Sequence, residues 1–189
     1  MTLSAIDICA RALIKIGANT ITSFTEGTAE AEVSASLYPT IRDALLSAHP
    51  WNFAIDQAQL SRLVSAPKAD YDCAFQLPVN CIRVLSAGAG RRSVGLSYRV
   101  IGRELHASTS DVTLTFVRRP AEDVFPPFFT MALIAQLAAE FAIPLTDSTS
   151  RWQALRKAAD EEFRRAKLID AQEDTPAQIN DFTLIEERF

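Results

Sequence analysis

The sequence predicts an α+β protein: a four-helix bundle with an inserted antiparallel β-sheet or small sandwich and an extended C-terminal tail. Three observations carry this. Apolar residues recur at helical spacing through residues 4–49 and again through 128–171. Residues 53–119 instead form short alternating runs punctuated by Pro, Gly and Asn. The two styles meet at Pro50-Trp51-Asn52-Phe53 and change back near Pro120. Pro50 lacks an N–H and biases His49 away from helical geometry, so a helix stops there. Trp51 and Phe53 supply two large apolar anchors, and Asn52 between them can bond a backbone group of the turn. We read this corner as a structural hinge between residues 1–52 plus 120–171, a helical bundle, and residues 53–119, a β-rich insert. Residues 172–189 form a third region, an acidic and hydrophobic tail.

The first helix is expected over residues 4–16. Ser4 is suited to the N-cap, Asp7 favours the first turn, Gly17 supplies a stop, and Ile6, Cys9, Ala10, Leu13 and Ile16 make one apolar stripe. A polar loop follows, with Ile21 and Phe24 as isolated anchors. The second helix runs from Thr28 to His49 along Val33, Leu37, Ile41, Leu45 and Ala48. The stripe keeps its phase across Pro39, which favours one kinked helix over two separate ones.

Beyond the corner, alternation from Phe53 to Arg62 gives a weak strand, followed by candidates at 71–77, 81–85, 96–101, 104–107 and 112–117. Gly88 to Arg92 reads as a loop, and Gly102-Arg103 as a tight turn. The third helix, Phe128 to Ile143, is apolar almost all round, so it belongs at the centre of the bundle; Pro144 ends it. The fourth, Thr149 to Ala171, carries the stripe Trp152, Leu155, Ala159, Phe163, Ala166 and Ile169. Its opposite face, including Arg156, Lys157, Asp160, Glu161, Arg164, Arg165 and Lys167, is solvated or meets another subunit.

At 189 residues, with 48% hydrophobic and 22% charged residues, the chain has ordinary globular material for one domain, or one with a sizeable insert. The apolar region from Phe125 to Ile143 opens on two prolines and contains Gln136 and Glu140, which suits a buried helix better than a membrane span. The start, Met1 to Asp7, has no positive region before its apolar residues, so no signal peptide is expected. Cys9, Cys73 and Cys81 are odd in number and form no Cys-x-x-Cys pair; they read as small buried hydrophobes. The net charge of −4 is concentrated at the end, where Asp170, Glu173, Asp174, Asp181, Glu186 and Glu187 face only Arg188. The body is therefore close to neutral, without the basic face of a duplex-DNA binder. In the tail, Ile179, Phe182, Leu184, Ile185 and Phe189 recur among the acids, a pattern suited to an extended segment that orders on a partner.

No catalytic residue, metal site or cofactor is expected. His49 and His106 lack ligand spacing, and no phosphate-cradling glycine loop or nucleophile elbow appears. The adjacent pairs Glu161-Glu162 and Glu186-Glu187 point in different directions, which disfavours an acid/base dyad. Arg91-Arg92, on a predicted loop tip, and Arg118-Arg119 are the basic pairs able to touch phosphate.

Taken in order, several stretches resemble the tail tubular protein A family of tailed bacteriophages, the head-to-tail adaptor or connector ring below the portal. They are Leu37-Tyr38-Pro39 with Arg42-Asp43, His49-Pro50-Trp51-Asn52-Phe53-Ala54, Phe75-Gln76-Leu77-Pro78, Cys81-Ile82-Arg83-Val84-Leu85, Tyr98-Arg99-Val100 and Gly102-Arg103. The resemblance covers residues 3 to 172 and rests on the order and spacing of short motifs. It implies a non-enzymatic virion subunit, assembled in the host cytoplasm as a dodecameric ring. Its partners would be further copies of itself, the portal protein, a distal tail or nozzle protein, and duplex DNA passing transiently through the lumen, with no membrane involved. A non-basic wall fits such a passage, because a basic one would retain phosphates. Arg91 and Arg92 are the candidates for lumen contact, and the C-terminal hydrophobes for docking on the portal or an adjacent subunit. The alternatives are another phage assembly part, a stopper or minor tail protein, and a soluble nucleic-acid-binding module.

Overall fold

A computed structural model describes residues 3–173. Over these residues the protein is α+β, with four helices and two small antiparallel sheets. Helix α1 (Ala5–Ile16) opens on a capping box: the Asp7 N–H donates to Ser4 Oγ at 3.2 Å, and the Ser4 N–H donates back to Asp7 Oδ2 at 2.9 Å. Gly17 closes it in the left-handed region, φ 74°. The buried residues are Ile8, Cys9, Ala12, Leu13 and Ile16, so the inward face is turned slightly from the predicted stripe, and Ile6 and Ala10 are only half-buried.

Helix α2 (Ala29–Ala48) is capped by Thr28 Oγ1, which accepts from the Ala31 N–H at 3.2 Å. It is a single helix through Pro39. Pro39 and Ala35, whose carbonyl loses its helical donor to the proline, are both exposed, so water can satisfy that carbonyl. The predicted stripe needs correction here: Ala31, Ser34, Tyr38, Leu45 and Leu46 are buried, Val33, Leu37 and Ile41 are half-buried, and Ala48 is exposed. Steps of four residues advance about 40° beyond a full turn, so a run of them drifts round the helix instead of staying on one face.

After α2 the backbone curls through one 3-10 turn, Asn52–Ala54, where a strand had been expected from Phe53. Strand β1 (Ile55–Gln59) follows, then β2 (Cys73–Gln76), β3 (Cys81–Ala89), β4 (Tyr98–Ile101), β5 (Glu104–Ala107) and β6 (Val112–Arg118). One sheet has the order β1-β6-β3 and the other β2-β5-β4, all pairs antiparallel. Phe75, Leu77 and Leu105 meet Val112, Leu114 and Phe116 in one apolar cluster, which the two sheets share.

Strand β3 extends through Gly88, predicted as loop. The following loop folds back over it so closely that a Cβ at Gly88 would lie 2.2 Å from the Arg92 carbonyl oxygen. Only glycine admits that approach.

Helix α3 (Pro127–Thr146) continues past Pro144, contrary to the sequence expectation. Pro144 lies within a turn of the helix end, where Thr146 Oγ1 donates to the Ala142 carbonyl at 2.5 Å and the Asp147 N–H to that of Ile143 at 3.0 Å. Those bonds close the final turn, with Asp147 left-handed at φ 48°. The helix is long and apolar enough to cross a membrane, yet most of it is buried. Its Phe129, Leu133, Leu137 and Phe141 form the centre of a core with α1, α2 and α4 (Thr149–Asp170). Val117, Ala54 and the half-buried Phe53, Ile82 and Leu85 join the same core, so the first sheet is rooted in the helical layer.

Gly88→Ala should therefore displace the loop at residues 90–95 and cost about 1–3 kcal/mol, read from the urea unfolding midpoint.

Candidate functional site

The predicted hinge residues converge on the end of α4. Trp51 is fully buried (0% exposed), and its indole N–H donates to the Leu45 carbonyl at 2.9 Å, capping a carbonyl orphaned in the last turn of α2. The indole packs edge-on against His49 and Phe129, with ring centroids at 4.8 and 5.2 Å, and against Phe163 of α4 at 5.9 Å. Phe53 is half-buried and meets Phe129 at 4.9 Å and Phe125 at 6.0 Å. Pro50 is exposed between them.

The Asn52 side chain does not bond its own turn. The residue's backbone N–H donates to Asp170 Oδ1 at 3.0 Å, and its side-chain amide donates to the Asp170 carbonyl at 2.8 Å. His49 Nε2 lies 3.2 Å from the other carboxylate oxygen. Asp170 is 2% exposed, so these contacts replace its lost hydration. Sequence reasoning put Ile169 in that inward position. Ala159, Phe163, Ala166 and Asp170 nevertheless step by four, three and four, and that phase was the available signal.

A second cluster closes the return from the strands. Tyr38 Oη donates to Glu122 Oε1 at 3.0 Å, Arg42 Nη1 donates to the same oxygen at 3.1 Å, and Arg42 Nε reaches Asp43 Oδ1 at 3.0 Å. Arg119 grips Asp43 with two nitrogens, at 3.0 and 2.5 Å. Burial pushes the Asp43 carboxyl upward, but hydrogen bonds from Arg119 and Arg42 outweigh it and hold the group below its ordinary value. Burial, reinforced by Glu122, pushes the Tyr38 phenol upward. Glu122 had no local signal, being 80 residues from Arg42.

Two further arginines brace the strands. Arg83 Nη1 donates to the Ser47 carbonyl on α2 at 2.9 Å, and Arg103 donates to the carbonyls of Cys81, at 3.1 Å, and Pro78. Of the candidate phosphate contacts, Arg119 is committed to Asp43 and Arg118 lies 3.9 Å from Asp56, whereas Arg91 and Arg92 are exposed on the β3–β4 loop. Ile179, Phe182, Leu184, Ile185 and Phe189 lie outside the described residues.

His106 lies 3.0 Å from Glu104, and neither histidine is bonded to a hydroxyl or thiol among the described residues. No group of three or more His, Cys, Asp or Glu there could hold a metal ion. All three cysteines are buried and free; burial raises the Cys9 thiol to about 12. The two clusters tie the entry to the strands and the exit from them to the helices. No family model and no curated protein matches the chain.

Trp51→Ala should cost about 3–5 kcal/mol in thermal or urea unfolding. Asp170→Ala, which strips the Asn52 N–H of its acceptor, should cost about 1–3 kcal/mol, with Asp170→Asn milder. Because the folded value of Asp43 is depressed, its stabilisation is complete above the ordinary 3.8 and is lost as pH falls through the lowered folded value. Urea midpoints from about pH 5 to about pH 2.5 should therefore fall less steeply in Asp43→Asn than in the parent chain.

Proposed function

We propose that the chain is a non-enzymatic structural subunit of a phage head-to-tail connector, an adaptor ring joining portal to tail with duplex DNA passing through its lumen. On this reading the architecture is a four-helix bundle carrying an inserted β region and a C-terminal docking segment. One observation supports it above the others. Several of the residues that carry the resemblance to the tail tubular protein A family make contacts between distant segments: Tyr38, Arg42 and Asp43, His49, Trp51 and Asn52, Arg83 and Arg103.

A connector transmits load between two rings, so a braced junction between its helical and β parts is the feature its task demands. The flanks of α2 and α4 would meet neighbouring subunits, the β region would face the distal tail, and the hydrophobes from Ile179 to Phe189 would dock on the portal or on an adjacent subunit. Arg91 and Arg92, exposed on their loop, are the residues assigned to DNA in the lumen.

Electron microscopy of the isolated protein and of the protein mixed with its portal tests the reading. The expected outcome is a ring, twelve-fold in the particle, stacked on the portal; a protein that never associates with a portal ring refutes it. Salt-dependent DNA binding by the isolated chain, abolished in Arg91→Ala/Arg92→Ala, would instead favour a nucleic-acid-binding module.

A further inference from the structure

Helix α4 sits on α3 with a groove on either flank. The one beside its C-terminal end has a volume of about 420 Å³ and an apolar lining of Pro127, Phe128, Met131, Ala166 and Ile169, with Arg165 at its mouth. Met131 is 44% exposed and Ile169 38%, although both are large apolar side chains. We propose that this groove is covered, in the isolated subunit, by residues 178–189 of the same chain. The inference holds whether or not the protein is a connector.

Position is the first argument. Helix α4 closes at Asp170, one residue after the groove wall Ile169, so the rest of the chain departs from the groove's edge. Residues 173–178 span up to about 20 Å when extended, enough to bring Ile179 and the hydrophobes after it across a groove that begins at the exit.

Chemistry is the second. The groove offers apolar surface and the segment offers Ile179, Phe182, Leu184, Ile185 and Phe189. Arg165 at the rim, its side chain 72% exposed, is paired among the described residues with Glu162 at 3.5 Å, a half-buried acid that also lines the groove, and it keeps donors free for a further carboxylate. The segment brings Asp181, Glu186 and Glu187 to that cation, against the single base Arg188. The groove on the other flank, between α2 and α4, is a poorer fit. It lies further back along α4, and its charged rim is already internally paired, Arg156 to Glu140 at 3.0 Å and to Asp160 at 3.7 Å.

Tethering is the third. A short connection gives an effective concentration on the order of 1 mM, so a docking Kd of about 0.1 mM keeps the groove about 90% covered and shields Met131 about ten-fold. An external partner that captures the same segment must displace it first.

The chain has two methionines, Met1 and Met131, which makes hydrogen peroxide oxidation of the intact protein, read by peptide mass spectrometry, a direct test. In the full-length variant Phe182→Ser/Leu184→Ser/Ile185→Ser, Met131 should oxidise about ten-fold faster than in the parent while Met1 is unchanged. Equal Met131 rates overturn the proposal. Protection in the parent should be independent of protein concentration; protection lost on dilution assigns the groove to a second copy and also overturns it. From the other side, Ile169→Ser in the full chain should speed amide hydrogen exchange over residues 179–185, and unchanged exchange there counts against the docking. No portal is present in these measurements, so their failure leaves the connector reading to its own test.

Discussion

The fold depends on how one buried carboxylate at the end of the last helix is held by the turn that follows the second. Asp170 gives up its hydration at a helix C-terminus, where the backbone dipole already disfavours negative charge. It is retained because Asn52 supplies two donors, one from the backbone and one from the side chain, and His49 a third contact. The gain is geometric: residues 118 apart are fixed to one another, and Trp51 is pressed into the space between α2, α3 and α4.

The Asp43 cluster repeats this arrangement where the chain returns from the strands. Arg42 and Arg119 share one carboxylate, while Tyr38 and Arg42 share another on Glu122. With the outward passage pinned at Asn52 and the return pinned at Arg119, the strands cannot pivot about either passage alone. Val117, Ile82 and Leu85 then seat the sheet in the helical core. The corner expected from the sequence is thus tied to the helices on both passages.

Much of this was legible in the sequence, for physical reasons that also mark where legibility ended. The helix cap at Ser4 and the stop at Gly17 are local, and each stood where its chemistry put it. The burial of Trp51 followed from its size. Helix faces were read less well, because a stripe of apolar residues alone does not reveal that polar-tipped Tyr38 turns inward when a partner arrives from elsewhere in the chain, and it passes over an acid such as Asp170 even where the phase points it inward. The prolines misled in one direction: Pro144, exposed and close to a helix end, costs less than its rule implies. The partners of Asn52 and Arg42 were illegible because they are distant acids: nothing local distinguishes Glu122 from a surface carboxylate, and the helical phase that turns Asp170 inward does not say what it will meet.

The Asn52–Asp170 contact also dictates an order of events during synthesis. A ribosome delivers the corner long before it delivers the end of α4, and closing a loop of that length cannot be anticipated by local structure. Until the last helix emerges, Trp51 lacks Phe163 on one side and the Asn52 N–H lacks its acceptor. The nascent chain thus carries an unfinished corner throughout the synthesis of the strands and of α3, and the junction between helices and strands is completed only once the end of α4 has emerged.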